Sequence, residues 1–198
     1  MVSCRRIFFL IPLVLLVSAS CLFAATPQRM RPYTGIGLFV LSHPDMPPEL
    51  NLQLFEEPGL ARLGVLKHSV LPGNGWIFAR YEGAPPLIVT ARKGEWLRIV
   101  YDDAGREAWI GPEKKGIFQS WEQFLQRQTC RMLPGLQPKY YQLLQQPGGE
   151  RLAALAPKQV LKVLKTEGAW CQVLMDQITT GWVRWQDEDG RLLVAPGR

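Results

Sequence analysis

Leu54-Phe55-Glu56-Glu57-Pro58-Gly59-Leu60-Ala61-Arg62-Leu63-Gly64-Val65-Leu66 and Leu143-Leu144-Gln145-Gln146-Pro147-Gly148-Gly149-Glu150-Arg151-Leu152-Ala153-Ala154-Leu155 are one pattern written twice, 89 positions apart. Both read L-[FL]-[EQ]-[EQ]-P-G-x-x-R-L-x-x-L. Downstream the match continues. Leu87-Ile88-Val89 through Lys93-Gly94-Glu95-Trp96-Leu97-Arg98-Ile99 lines up with Leu161-Lys162-Val163 through Glu167-Gly168-Ala169-Trp170-Cys171-Gln172-Val173, and Ala108-Trp109-Ile110 with Gly181-Trp182-Val183. Leu66 to Leu87 spans 21 positions and Leu155 to Leu161 spans 6, so the first copy carries 15 extra residues in one place. Surface loops tolerate such length changes and strands do not, which is the mark of a duplicated domain.

From Gly35 onward short apolar runs alternate with Gly and Pro clusters, which predicts many short strands joined by turns. In Glu95 to Tyr101 the residues Trp96, Arg98 and Val100 share one face and Leu97, Ile99 and Tyr101 the other. Asp102-Asp103-Ala104-Gly105 is a turn and Glu107-Ala108-Trp109-Ile110 the return strand, a hairpin that the second copy repeats from Trp170 to Trp185 around a turn at Asp176 to Thr180. Between the copies, Ser120 followed by Gln123 fits a capping box, and Trp121, Phe124 and Leu125 fall on one helical face. A short helix joining and packing against two modules is expected there. Each module holds only about 60 to 85 residues, where burial alone leaves stability marginal.

The ends suggest export. Arg5 and Arg6, an apolar run from Ile7 to Val17 and the small residues Ser18, Ala19 and Ser20 follow the order of a secretory signal, in a run short for a bilayer span. Ser18-Ala19-Ser20-Cys21 is similar to a lipoprotein box with Cys21 as the lipidation site, whereas Phe23-Ala24-Ala25 permits ordinary cleavage, the preferred reading. The expected organisation is a signal peptide (1–25), an extended leader (26–34) that contributes little to the fold, module 1 with its insertion (35–117), a helical linker (118–130) and module 2 (131–198). Removing residues 1–25 takes away Arg5 and Arg6 and no acid, so the net charge of +6 falls to +4. The basic residues are scattered, which is no footprint for nucleic acid. Cys130 and Cys171 then remain, either as a disulfide in an oxidising compartment or as two buried free thiols.

P-G-x-x-R-L-x-x-L, then an apolar strand, K-G-E-W-L-R-I and G-R-E-A-W-I, together resemble the bacterial SH3-like (SH3b) domain, over roughly residues 48–112 and 138–186. The second copy, with P-G-G-E-R-L-A-A-L, E-G-A-W-C-Q-V and T-T-G-W-V, is the closer match. The arginine of the family's usual opening is missing in both. The resemblance implies an all-β chain of two small, strongly bent barrels in tandem. It also implies a non-catalytic adaptor of cell-wall enzymes or envelope proteins, with peptidoglycan peptides among the family's ligands.

The residues assemble no recognisable catalytic constellation. A cysteine peptidase needs a histidine downstream of its thiolate, but His43 and His68 both precede Cys130 and Cys171. Neither histidine has metal-ligand spacing to a Cys or carboxylate. The acidic clusters Glu56-Glu57, Asp102-Asp103 and Asp187-Glu188-Asp189 fall at turns or strand ends and assign no glycosidase pair. Gly73-Asn74-Gly75 and Gly148-Gly149 lead into no lysine-bearing helix and are not phosphate loops. No enzyme, metal or cofactor is expected.

What remains is aromatic. Trp76, Phe78, Arg80 and Tyr81 lie in the insertion, in a strand-like run Gly75 to Tyr81, and are the candidate ligand-binding residues, because amphipathic rings suit a surface that is half apolar and half polar. The competing reading packs these rings onto a module. For Trp96, Trp109, Trp170 and Trp182 the core reading is preferred, and Trp185 faces either solvent or the linker. The function expected is an exported, periplasmic or extracellular binding protein for an envelope peptide, peptidoglycan stem or partner protein. The alternative is a purely structural subunit of an envelope assembly, and a cell-wall hydrolase is the more distant reading.

Overall fold

The computed structural model describes residues 30–41, 51–67, 76–81, 85–112, 116–157 and 159–197. The signal segment, Cys21, His43, His68 and Gly73 to Gly75 lie outside the described residues. Among the described residues no helix is long and apolar enough to cross a membrane.

The chain is nearly all β and forms two separate seven-stranded antiparallel sheets. The first holds β1 (Gly37–Leu41), β2 (Asn51–Glu57), β3 (Leu60–Lys67), β4 (Leu87–Lys93), β5 (Trp96–Val100), β6 (Glu107–Ile110) and β7 (Gly116–Gln119). The second holds β8 (Thr129–Met132), β9 (Gln142–Leu144), β10 (Arg151–Ala154), β11 (Leu161–Glu167), β12 (Trp170–Met175), β13 (Thr179–Arg184) and β14 (Val194–Pro196). Their strand orders, β3-β2-β6-β5-β4-β1-β7 and β10-β9-β13-β12-β11-β8-β14, are the same order seven strands apart.

The duplication extends to the irregularities. On β3, Leu63 is the extra residue between Leu54↔Gly64 and Phe55↔Arg62, and on β10 Leu152, 89 positions later, plays the same part between Leu143↔Ala153 and Leu144↔Arg151. On β4, Thr90 is skipped between Val89↔Ile99 and Ala91↔Arg98, and Leu164 of β11 repeats it between Val163↔Val173 and Lys165↔Gln172. A bulge adds a residue to one strand and bends it, so paired bulges at matching positions give both sheets the same curvature. The repeated leucine of the R-L motif is therefore a bulge residue, and Leu63 and Leu152 stay exposed.

The first hairpin forms as read, and the second forms with a shorter turn than expected, its return strand starting at Thr179 and not Gly181. Leu97 pairs with Ile110 and Ile99 with Ala108, while Cys171 pairs with Val183 and Val173 with Gly181. Leu97 and Ile99 point into the core, and Trp96, Arg98 and Val100 lie on the half-covered face. The second hairpin turns through Asp176 (φ 49°) and Gln177 (φ 62°), two left-handed residues in succession, closed by the Ile178 N–H on the Met175 carbonyl at 3.1 Å.

Between the sheets, α1 (Trp121–Leu125) starts on the expected capping box: the Gln123 N–H donates to Ser120 Oγ at 3.2 Å and the Ser120 N–H to Gln123 Oε1 at 3.1 Å. Its apolar face, Trp121, Phe124 and Leu125, is buried. What it covers is a seam. The first sheet has a core of its own from Phe39, Leu52, Leu54, Leu66, Leu87, Val89, Leu97, Ile99, Ala108 and Ile110. The second sheet's core is continuous with α1, with Ile77 and Phe78, and with Leu38 and Ile88 from the reverse side of the first sheet. β1 and β4 thus bury both faces, which accounts for the unbroken apolar runs Gly37 to Leu41 and Leu87 to Val89.

The expectation that the leader contributes little is overturned. Residues 31–34 are laced to the second sheet's last loop: the Leu192 N–H donates to the Pro32 carbonyl (3.1 Å) and the Thr34 N–H to the Gly190 carbonyl (2.9 Å). Arg31 pairs with the buried Asp187 at 2.8 Å, and Arg191 stacks over the Tyr33 ring at 4.1 Å. The Trp121 indole N–H donates to the Thr34 carbonyl at 2.6 Å, which ties this strap to α1. Composition pointed the other way because a segment held by backbone and arginine hydrogen bonds needs no apolar periodicity.

Candidate functional site

The inserted run is a tight turn, not the strand that its alternating rings suggest. Ile77 and Phe78 are both buried, at 1% and 2% exposure, and residues 76–81 join no strand ladder beyond an isolated bridge at Arg80. The Tyr81 N–H closes the turn on the Phe78 carbonyl at 2.8 Å. Phe78 packs edge-on against Phe124 of α1 (6.2 Å between ring centres) and against Tyr81 (6.4 Å), and Tyr81 lies 5.5 Å from Phe124. The four candidate residues therefore separate. Phe78 is sealed in the seam, Trp76 faces one side of the turn, and Arg80 and Tyr81 face the other.

On the Trp76 side is an open groove of about 660 Å³. Met30 and Tyr33 of the strap, Trp76, Ile88 at the base, Arg191 and the Asp102 turn line it. Met30 is 80% and Tyr33 56% exposed, so apolar surface faces water here beside charged groups. Burial works to raise the pKa of Asp102, but the Arg106 amide and guanidinium outweigh it and hold the carboxyl below its usual value. On the Tyr81 side is a second cleft of about 580 Å³, lined by Arg80, Tyr81, Arg127, Gln128, Thr129 and Lys162 with Gly197. Partial burial pushes the Tyr81 hydroxyl pKa up, so at neutral pH it is a protonated phenol.

Of the repeated tryptophans, Trp109 and Trp182 are buried, each with a cation over the ring: Arg98 at 5.8 Å and Lys165 at 4.9 Å. The core reading is corrected for Trp96 and Trp170, which are half-exposed on the outer face. The edge of Phe55 meets Trp96 at 5.3 Å, and Arg184 covers Trp170 at 5.4 Å. Trp170 borders a smaller cleft of about 210 Å³ with Tyr140, Arg184 and Glu188, where hydrogen bonding from Tyr140, with Arg184 and Lys139 nearby, lowers the Glu188 pKa to about 2. Trp185 faces the linker, 5.6 Å from Trp121 in a tilted stack.

Cys130 and Cys171 are both buried, with no bond drawn between them. Cys130 sits across from Leu161 on one side of β11 and Cys171 across from Thr166 on the other. Burial pushes the Cys130 pKa up to about 12 and raises that of Cys171 as well. The thiolate is the reactive form. A disulfide-exchange reagent is therefore expected to leave the folded protein unlabelled near pH 8 and to label both thiols in denaturant, read by absorbance.

The sequence alone missed the strap and the cationic cleft. Tyr33 and Arg31 carry no local periodicity, and Arg80, Arg127 and Lys162 come from three distant segments, so neither left a local signal.

No family model and no curated protein matches the chain. Three solved chains match, among them the endolysin LysPBC5 CBD, 14% identical over 85% of this chain and 98% of that one, with a TM-score of 0.25.

Proposed function

We propose that this chain is a non-catalytic, exported binding protein whose two SH3-like modules recognise a cell-envelope ligand, a peptide or peptidoglycan stem, in the groove beside Trp76. The observation that carries the reading is that groove: Trp76, Tyr33 and Met30 present partly exposed apolar surface around an open volume of about 660 Å³. A concave site with large rings and a few charged groups is the ordinary form of a ligand site. The repeated SH3b-like motifs direct the choice of an envelope ligand, and the signal-like first residues direct the location. On this reading residues 1–25 are removed on export, and Cys21 carries lipid only if the alternative cleavage is used.

The test is co-sedimentation with purified cell-wall sacculi. Retention of the wild type is expected, and Trp76→Ala or Tyr33→Ala should weaken it by about ten- to a hundredfold, the range of a central aromatic contact. Circular dichroism checks that each variant is folded. Wild type left wholly in the supernatant supports the structural-subunit reading instead, and release of soluble cell-wall fragments by the pure protein would make it a hydrolase.

A further inference from the structure

The geometry points to a carboxylate-binding subsite in the cleft on the Tyr81 side of the inserted turn, built from Arg80, Arg127 and Lys162. It goes beyond the binding reading, since this cleft is separate from the Trp76 groove.

Three cationic side chains from three segments line this cleft, and among the described residues no carboxylate side chain does. The ion pairs formed among the described residues use other cations throughout, so none of these three is neutralised by an acid of the described chain. The floor is held by backbone. Lys162 lies across from Thr129 in the β11–β8 ladder. The Val163 N–H donates to the Gln128 carbonyl and the Gly197 N–H to the Thr129 carbonyl, both at 2.8 Å. Arg80 forms a parallel bridge with Gly197, where a Cβ would stand 2.4 Å from the Arg80 carbonyl oxygen. Only glycine permits that approach, so the backbone carrying Arg80 is seated directly on the second sheet.

Arg127 gives a second, independent line. Gln126 (φ −57°, ψ 127°) and Arg127 (φ 66°) form a turn closed by the Gln128 N–H on the Leu125 carbonyl at 3.0 Å. That is the type II pattern, whose third position needs a left-handed residue and is normally glycine or asparagine. An arginine there is strained, and its side chain is exposed and makes no ion pair among the described residues. Strain of this kind collects where a side chain serves a ligand.

The donor set selects the ligand class. Each guanidinium fork matches a carboxylate in two parallel hydrogen bonds, and Lys162 adds a point charge. Gln128, Thr129 and Tyr81 each bring acceptor as well as donor capacity. A polyphosphate accepts only and leaves those acceptors unused, whereas a peptide carrying carboxylates satisfies both. An acidic peptide is therefore the fitting occupant.

Calorimetric titration of the full chain with N-acetyl-triglutamate amide, with the triglutamine peptide as control, tests this. Saturable binding of the acidic peptide alone is expected, weakening with added salt. Arg127→Gly should reduce affinity about tenfold while leaving the melting temperature equal or higher, and Lys162→Gln should reduce it similarly. Trp76→Ala should bind triglutamate as the wild type does, so loss of sacculus retention in that variant would test the groove without touching the subsite. The proposal is overturned if triglutamate does not bind, if triglutamine binds equally, if Arg127→Gly and Lys162→Gln keep full affinity, or if inorganic pyrophosphate binds and triglutamate does not compete with it.

Discussion

Phe78→Ala is expected to cost about 3–5 kcal/mol of folding stability, the range for deleting a buried aromatic ring. In a chain of this size that corresponds to a fall of roughly 2–4 °C in melting temperature per kcal/mol. Phe78 is 2% exposed and fills the seam where α1, the inserted turn and the second sheet's core meet, in ring contact with Phe124 and Tyr81. The cavity would open between elements that belong to different copies, so the variant should lose the joint between modules first. Differential scanning calorimetry checks both points: a transition lowered by less than about 1 kcal/mol would mean that Phe78 is not the keystone. Near-wild-type binding per folded molecule is expected, in contrast to Trp76→Ala.

Asp187→Ala is expected to cost a comparable amount, about 3–5 kcal/mol, because it breaks a buried pair and leaves its partners unsatisfied. The Asp187 side chain is 3% exposed. It accepts the Arg191 N–H at 2.7 Å, the Asp189 N–H at 3.1 Å and the Arg31 guanidinium at 2.8 Å, and so holds the strap in place. Burial by itself works to raise its pKa, but the Arg191 amide, the Arg31 guanidinium and the Asp189 amide together bring it below the ordinary carboxylate value. A carboxyl depressed in the folded state stabilises fully above its unfolded pKa of about 3.9 and ceases to do so as pH falls through the lower folded-state value. Wild-type stability should therefore drop on acidification below about pH 4 more steeply than that of Asp187→Ala. Asp187→Asn separates the contributions, since it keeps an acceptor for the two amides and removes the charge facing Arg31. Urea denaturation of the three proteins at pH 7 and pH 3 reads both effects, and parallel pH profiles for wild type and Asp187→Ala would exclude the mechanism.

The strap and the seam recast what the two copies are to each other. Seven strands in the same order, with bulges at Leu63 and Leu152 and at Thr90 and Leu164, make the sheets equivalent in plan. Their surroundings are not equivalent. The first sheet gives its reverse side at Leu38 and Ile88 to the common core, and the second gives its last loop to residues 31–34. Both proposed ligand sites lie along this asymmetric joint, lined by residues from the strap, the inserted turn and the second sheet.

Sequence alone determined the duplication, because one motif recurs 89 positions on, and the strand hairpins and capped helix, because these depend on residues within a few positions of one another: alternating apolar faces, a turn at Asp102 to Gly105, a serine three places before a glutamine. Only the tertiary structure decided which rings are buried and which meet water. Trp76, Phe78 and Tyr81 look alike as a run of aromatics, yet the turn sends Phe78 into the seam and leaves the others on opposite sides of it. The physical reason is that burial is set by what arrives from elsewhere in the chain, here Phe124 from the helix, Tyr33 from the strap and Lys162 from the second sheet, and no local pattern carries that information.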